Sequence, residues 1–196
     1  MKLPITGLLP STLQESINMA EKKYKGRKAY LNDFQKDENG EYAYQGNLYA
    51  WQGENSLLRK KLILLWGMGI LMVLLLAAAA WIDAPGATGT FYVVIPVCAA
   101  LVFGVSILWG LGRLTSGGKV LRAYVYEATV GQLPVRAVLT MVSAGAAVLG
   151  ELLFLITNGF ERKTGKALIF LVMESAVFLL CWIFRQEILK MVWKKQ

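Results

Sequence analysis

The chain contains no histidine among its 196 residues, only two cysteines, and only 17% charged residues. The missing histidine excludes Ser-His-Asp catalysis, His-ligated zinc and His-ligated haem. Cys98 and Cys181 lack CxxC spacing, and each lies inside an apolar run with no companions for a metal set. At about 1.5 Å per helical residue their depths differ by roughly 9 Å, which excludes a disulfide between them. Both read as small buried hydrophobes. No metal or other cofactor is expected from these residues.

Charge is scarce as well. A soluble domain carries about 25% charged residues, whereas this chain is 56% hydrophobic, with a mean hydropathy of +0.46. The apolar residues gather in four runs, about 62–82, 90–111, 136–157 and 167–184. Each approaches or exceeds the roughly 20 residues that cross a hydrocarbon core as helix. The expected fold is an all-α integral membrane protein of four transmembrane helices in two hairpins. Residues 1–58 would form an N-terminal region, 59–185 the membrane region with an inner loop at 112–135, and 186–196 a basic tail. The opening Met1–Pro10 is too short and proline-interrupted for a signal h-region, so the first run should serve as its own insertion signal.

The net charge of +8 is informative through its distribution. Eighteen of the 21 Lys and Arg residues fall before the first run, between the second and third, or after the fourth. Only Arg162, Lys163 and Lys166 fall on the other side. The positive-inside rule therefore puts both termini in the cytoplasm, in a cell inner membrane. This bracketing fits a lipid surface, and nucleic acid is not an expected partner.

Local signals refine the picture. Ser11 and Gln14 fit a capping box at the start of an amphipathic helix over 11–24 that ends in a basic cluster. Lys28–Phe34, Glu41–Tyr44 and Leu48–Trp51 read as short strands, with Asn39-Gly40 as a hairpin turn. Val120–Thr129 alternates like a strand, so a small cytoplasmic β-layer is expected from both regions. Its aromatics Tyr42, Tyr44, Tyr49, Trp51, Tyr124 and Tyr126 are candidate partner or lipid contacts. Ala100 with Gly104, Ser143 with Ala147, and Ala146 with Gly150 are spaced for close helix approach. Pro96 should free a carbonyl inside the second helix.

The sharpest chemical feature is Glu151 with Glu174, each interrupting an apolar run. Both lie about 9–11 Å below the outer surface, at one depth on adjacent antiparallel helices. Acids in a membrane usually face a bundle interior, and two close together cannot both ionise cheaply. They could share a proton or bind a cation, meet a partner subunit, or be held by local hydrogen bonds from Ser143, Ser175 or Thr157. Thr140, Ala144, Ala147 and Glu151 share one stripe, as do Glu174, Phe178, Cys181 and Arg185.

Familiar catalytic patterns fail. Ser116-Gly117-Gly118-Lys119-Val120 has the Gly-Lys of a phosphate loop. Arg113 occupies the leading glycine position, however, and Val120 that of the Ser or Thr. The expected function is a non-enzymatic accessory or scaffold subunit of a larger membrane assembly, partnered by lipid and by other subunits or copies of itself. The alternative is a small oligomeric proton- or cation-coupled transporter using Glu151 and Glu174.

Overall fold

The computed structural model describes residues 34–36, 42–44, 46–159 and 164–196. The expected helix over 11–24 and most of the strand over 28–34 lie outside the described residues. Two units are distinguished, divided after Asn47. In the first, β1 (Phe34–Lys36) and β2 (Tyr42–Tyr44) pair antiparallel, with Phe34 opposite Tyr44 and Lys36 opposite Tyr42. The hairpin thus brackets the Asn39-Gly40 turn signal.

The second unit is mostly helical. Four of its helices, α1 (Asn55–Trp81), α3 (Phe91–Gly117), α5 (Leu133–Asn158) and α6 (Thr164–Leu189), are long and apolar enough to cross a membrane. In lipid every backbone N–H and C=O must be satisfied within the chain, and a helix does this segment by segment. The helices run past the apolar stretches mainly at one end, by seven residues before Leu62 and six after Leu111. Apolarity marks the hydrocarbon core, but helical bonding continues into the headgroup layer. A helix of 27 residues spans roughly 40 Å, the thickness of core plus interface.

The helices form a closed ring of contacts in which α1 and α5 each pack against both α3 and α6. Side chains fill the interior, including Leu65, Met72, Leu76, Ile107, Leu111, Val177 and Phe184. Small residues set the closest approaches. A Cβ on Gly104 would sit 3.0 Å from Leu76 Cδ1, and one on Gly150 would sit 2.9 Å from the Tyr92 carbonyl oxygen. That carbonyl is the one Pro96 leaves without its helical donor, since proline has no N–H. Gly150 lets α5 cover it directly. The companion residue Ala146 is exposed, so only part of the expected small-residue face is used.

Three sequence expectations need correction. The run at Val120–Thr129 is a strand only as β4 (Val120–Arg122), after which the chain turns into α4 (Ala123–Tyr126) and a π-helical turn at Glu127–Gly131. The partner strand β3 (Leu48–Trp51) ends opposite Arg122 at Leu48, and backbone beyond that pairing must bond to itself. Residues 83–89, which the first two apolar runs leave between them as an outer loop, hold a short helix, α2 (Pro85–Gly89), with proline in its first turn. Cys98 is exposed whereas Cys181 is buried, and both are free thiols. Cys98 lies off the buried stripe of α3 that runs through Val97, Ala100 and Gly104, so its apolar setting reflects an outward face.

The tail 186–196 is also ordered. Its strand β5 (Trp193–Lys195) pairs with β3, giving a three-stranded antiparallel sheet in the order β4-β3-β5. β3 precedes α1, while β4 follows α3 and β5 follows α6, so the sheet ties three helix ends together. Backbone bonds from Trp51 N–H to Lys119 O (3.0 Å) and from Gln196 N–H to Leu48 O (2.8 Å) extend it on both edges.

Candidate functional site

Glu151 and Glu174 are both fully buried, at 0% exposure. On α5 the predicted stripe holds, since Thr140, Ala144 and Ala147 are equally buried. On α6 the buried stripe passes instead through Phe170, Glu174, Val177, Cys181, Phe184 and Ile188. Phe178 remains 38% exposed and Arg185 only half-buried, because 3.6 residues per turn carries the stripe past them.

The two acids have different surroundings. Glu151 Oε1 accepts a hydrogen bond from the Gly86 backbone N–H at 3.2 Å, and the Ala87 N–H also reaches the carboxylate. These are donors of the first turn of α2, which no helical carbonyl can satisfy. Glu151 therefore caps α2 from α5, a different partner from the Ser143, Ser175 or Thr157 hydroxyls considered from sequence. Thr157 instead donates to the Leu153 carbonyl at 3.0 Å. Gly86 has no side chain at the one place where a Cβ would collide with Glu151 Oε2.

Glu174 has neither oxygen bonded among the described residues, and Glu151 Oε2 is likewise unpaired. No hydrogen bond therefore joins the two acids. Further along the buried stripe of α6, Cys181 Sγ lies 3.3 Å from Met72 Sδ of α1. Among the described residues no cluster of three or more metal-ligating side chains forms.

The aromatic candidates fall into three groups. Tyr42 and Tyr44 belong to β2, and the Tyr44 hydroxyl donates to the Asn47 carbonyl at 3.2 Å. Tyr49 and Tyr126 stack on each other at 4.1 Å with an interplanar angle of 4°. Trp193 packs edge-on against both Trp51 (5.7 Å) and Tyr126 (6.4 Å), so one aromatic cluster joins β3, α4 and β5. Tyr124 lines a cleft of ≈ 990 Å³ between α3, β4 and α4, walled on the α1 side by Trp66. Sequence reasoning missed both β5, the strand that carries Trp193, and the cleft. A three-residue strand carries too little alternation to read, and the cleft arises only when β4 folds back along α3.

The rejected phosphate-loop match lies at that fold-back. Gly117 ends α3 and Gly118, at φ +67°, turns the chain away, so the glycines follow a helix C-terminus. A phosphate loop places them before an N-terminus, where N–H groups face the anion. No protein family, curated protein or solved structure matches this chain.

Proposed function

We propose that this chain is a non-enzymatic accessory or scaffold subunit of a larger membrane assembly, with both termini and the β4-β3-β5 sheet in the cytoplasm of a cell that keeps it in its inner membrane. The observation that carries this reading is the division between a filled interior and a broad apolar exterior. Phe170, Phe184, Leu65, Met72 and Leu76 close the middle of the bundle, while only 28–33% of each span is buried by the chain itself. The remainder suits lipid and the helices of partner subunits. Glu151 supports the reading because its carboxylate is engaged in holding α2.

Native mass analysis of the full chain, extracted in mild detergent, tests this reading. Other membrane subunits should be retained at fixed stoichiometry. A monodisperse homo-oligomer carrying nothing else would overturn it.

The transporter reading keeps one specific support, the unbonded carboxyl group of Glu174 inside the bundle. A buried acid in a membrane is by default a candidate for carrying a proton or binding a cation. In proteoliposomes, proton or cation flux abolished by Glu174→Gln in a folded protein would favour transport.

A further inference from the structure

The buried stripe of α6 carries sulfur as well as a carboxyl group. Cys181 Sγ lies 3.3 Å from Met72 Sδ of α1, and both residues are only 1% exposed. The contact joins the first span to the last, so it exists only where the ring of helices closes. Thiol and thioether are a weak donor and a weak acceptor, which makes this pairing a poor reason by itself for two sulfurs to meet. Met68, one turn earlier on the buried face of α1, brings a second thioether into the same cluster.

Sulfur donors of this kind select a soft ion such as Cu(I). A monovalent ion with a filled d shell accepts two donors and needs no third side chain. That suits a pair of sulfurs with no larger cluster of His, Cys, Asp and Glu among the described residues. A structural zinc ion takes four ligands and is poorly served by two. Glu174 lies seven residues before Cys181 on the same buried stripe, fully buried and with neither oxygen bonded among the described residues. It is near enough to act electrostatically on the thiol. With that carboxylate taking up the proton that the thiol gives up, a bound monovalent ion leaves the stripe uncharged. A divalent ion would leave a net positive charge in the membrane interior, where charge is costly.

We propose that Cys181 and Met72 bind one monovalent soft metal ion, copper(I) or its analogue silver(I), between α1 and α6. Binding breaks the S–H bond of Cys181. The sulfur keeps the electron pair and forms the bond to the ion, the proton passes to the Glu174 carboxylate, and no electron is transferred. The sulfurs part to admit the ion, a movement that the three rotatable bonds of Met72 allow. The site does not depend on whether the chain acts as a subunit or as a transporter.

The test uses the full chain in detergent micelles, kept reduced with ascorbate, with copper(I) supplied from its complex with the chelator bathocuproine disulfonate. Wild type should take one copper(I) per chain from the chelator. Met72→Leu, a swap of similar volume, should keep the fold and the thiol yet bind about tenfold more weakly, through loss of one of two donors. Cys181→Ala should bind none, whereas Cys98→Ser, which removes the exposed thiol, should bind as wild type does. Wild type that takes no copper(I) would overturn the proposal. Equal affinity in Met72→Leu and wild type would overturn it as well, because the thiol alone would then be the ligand. Equal losses in Cys98→Ser and Cys181→Ala, or zinc(II) held as tightly as copper(I), would do the same.

Discussion

Glu151 and Glu174 look equivalent in the sequence, and their environments separate them. Glu151 accepts main-chain bonds from α2, so Glu151→Ala should cost about 1–3 kcal/mol, the range for losing a helix cap and leaving its donors buried. Glu151→Gln keeps an acceptor oxygen and should fall between Ala and wild type. Thermal unfolding in detergent checks the order, and an alanine variant as stable as wild type would remove the capping role. Glu174 has no bonded oxygen among the described residues, so Glu174→Leu exchanges an unsatisfied polar group for an apolar one of similar size. Its melting temperature should rise, by an amount equivalent to about 1–3 kcal/mol. A fall would mean that Glu174 has a partner that only the assembled complex or a bound ion provides. The sequence revealed that both acids are buried, because an acid in an apolar run has few other places to go. It could not reveal which acid is bonded, because Gly86 is 65 residues from Glu151 and only the folded loop brings its N–H there. The partnership of Pro96 and Gly150 was half visible, as a freed carbonyl and a small residue with no sign that they meet.

The sheet shows why short elements escape sequence reading. The four long helices announce themselves through runs of about 20 apolar residues, and their cores fall where expected. β3 is also legible, since Tyr49 and Trp51 are strong β-formers. β5 has three residues and draws its stability from what it pairs with: Trp193 faces Trp51 in register and packs on Tyr126. Trp193→Ala should therefore release the tail and loosen the edge of β3. Aromatic pairs of this kind are worth about 0.5–1.5 kcal/mol beyond the area they bury. The expected result is faster hydrogen exchange at Gln52 and Gln196, whose N–H groups bond to Val192 and Leu48, with no change in the middle of α1. Unchanged protection at those amides would show that the strand pairing is independent of the cluster. The ion pair from Lys61 to Glu187, at 3.9 Å, joins the same helix ends but is partly exposed and adds little.

For the whole chain, the register of β3 with β4 and β5 has a topological consequence. Tyr49 is opposite both Leu121 and Lys195, so the start of α1, the end of α3 and the end of α6 must lie on one side of the membrane. The basic residues cluster at that same end, and the opposing positive charge is partly neutralised where Lys166 lies 3.5 Å from Asp83. Topology reporters therefore have to agree as a set. A fluorescent protein after Gln196 should fold and fluoresce in the cytoplasm, and alkaline phosphatase fused after Gly159 should be active outside. Neutralising Arg59, Lys60 and Lys61 to Gln weakens the orientation signal flanking α1, where each positive charge biases retention. Independent helices would respond with a mixed population in which single helices are misplaced and the two reporters disagree. A unit tied by the sheet should keep its orientation or invert entirely, so the two reporters should change together or not at all. Loss of phosphatase activity without loss of fluorescence would show that the sheet forms only after the helices have been inserted and exerts no hold on them.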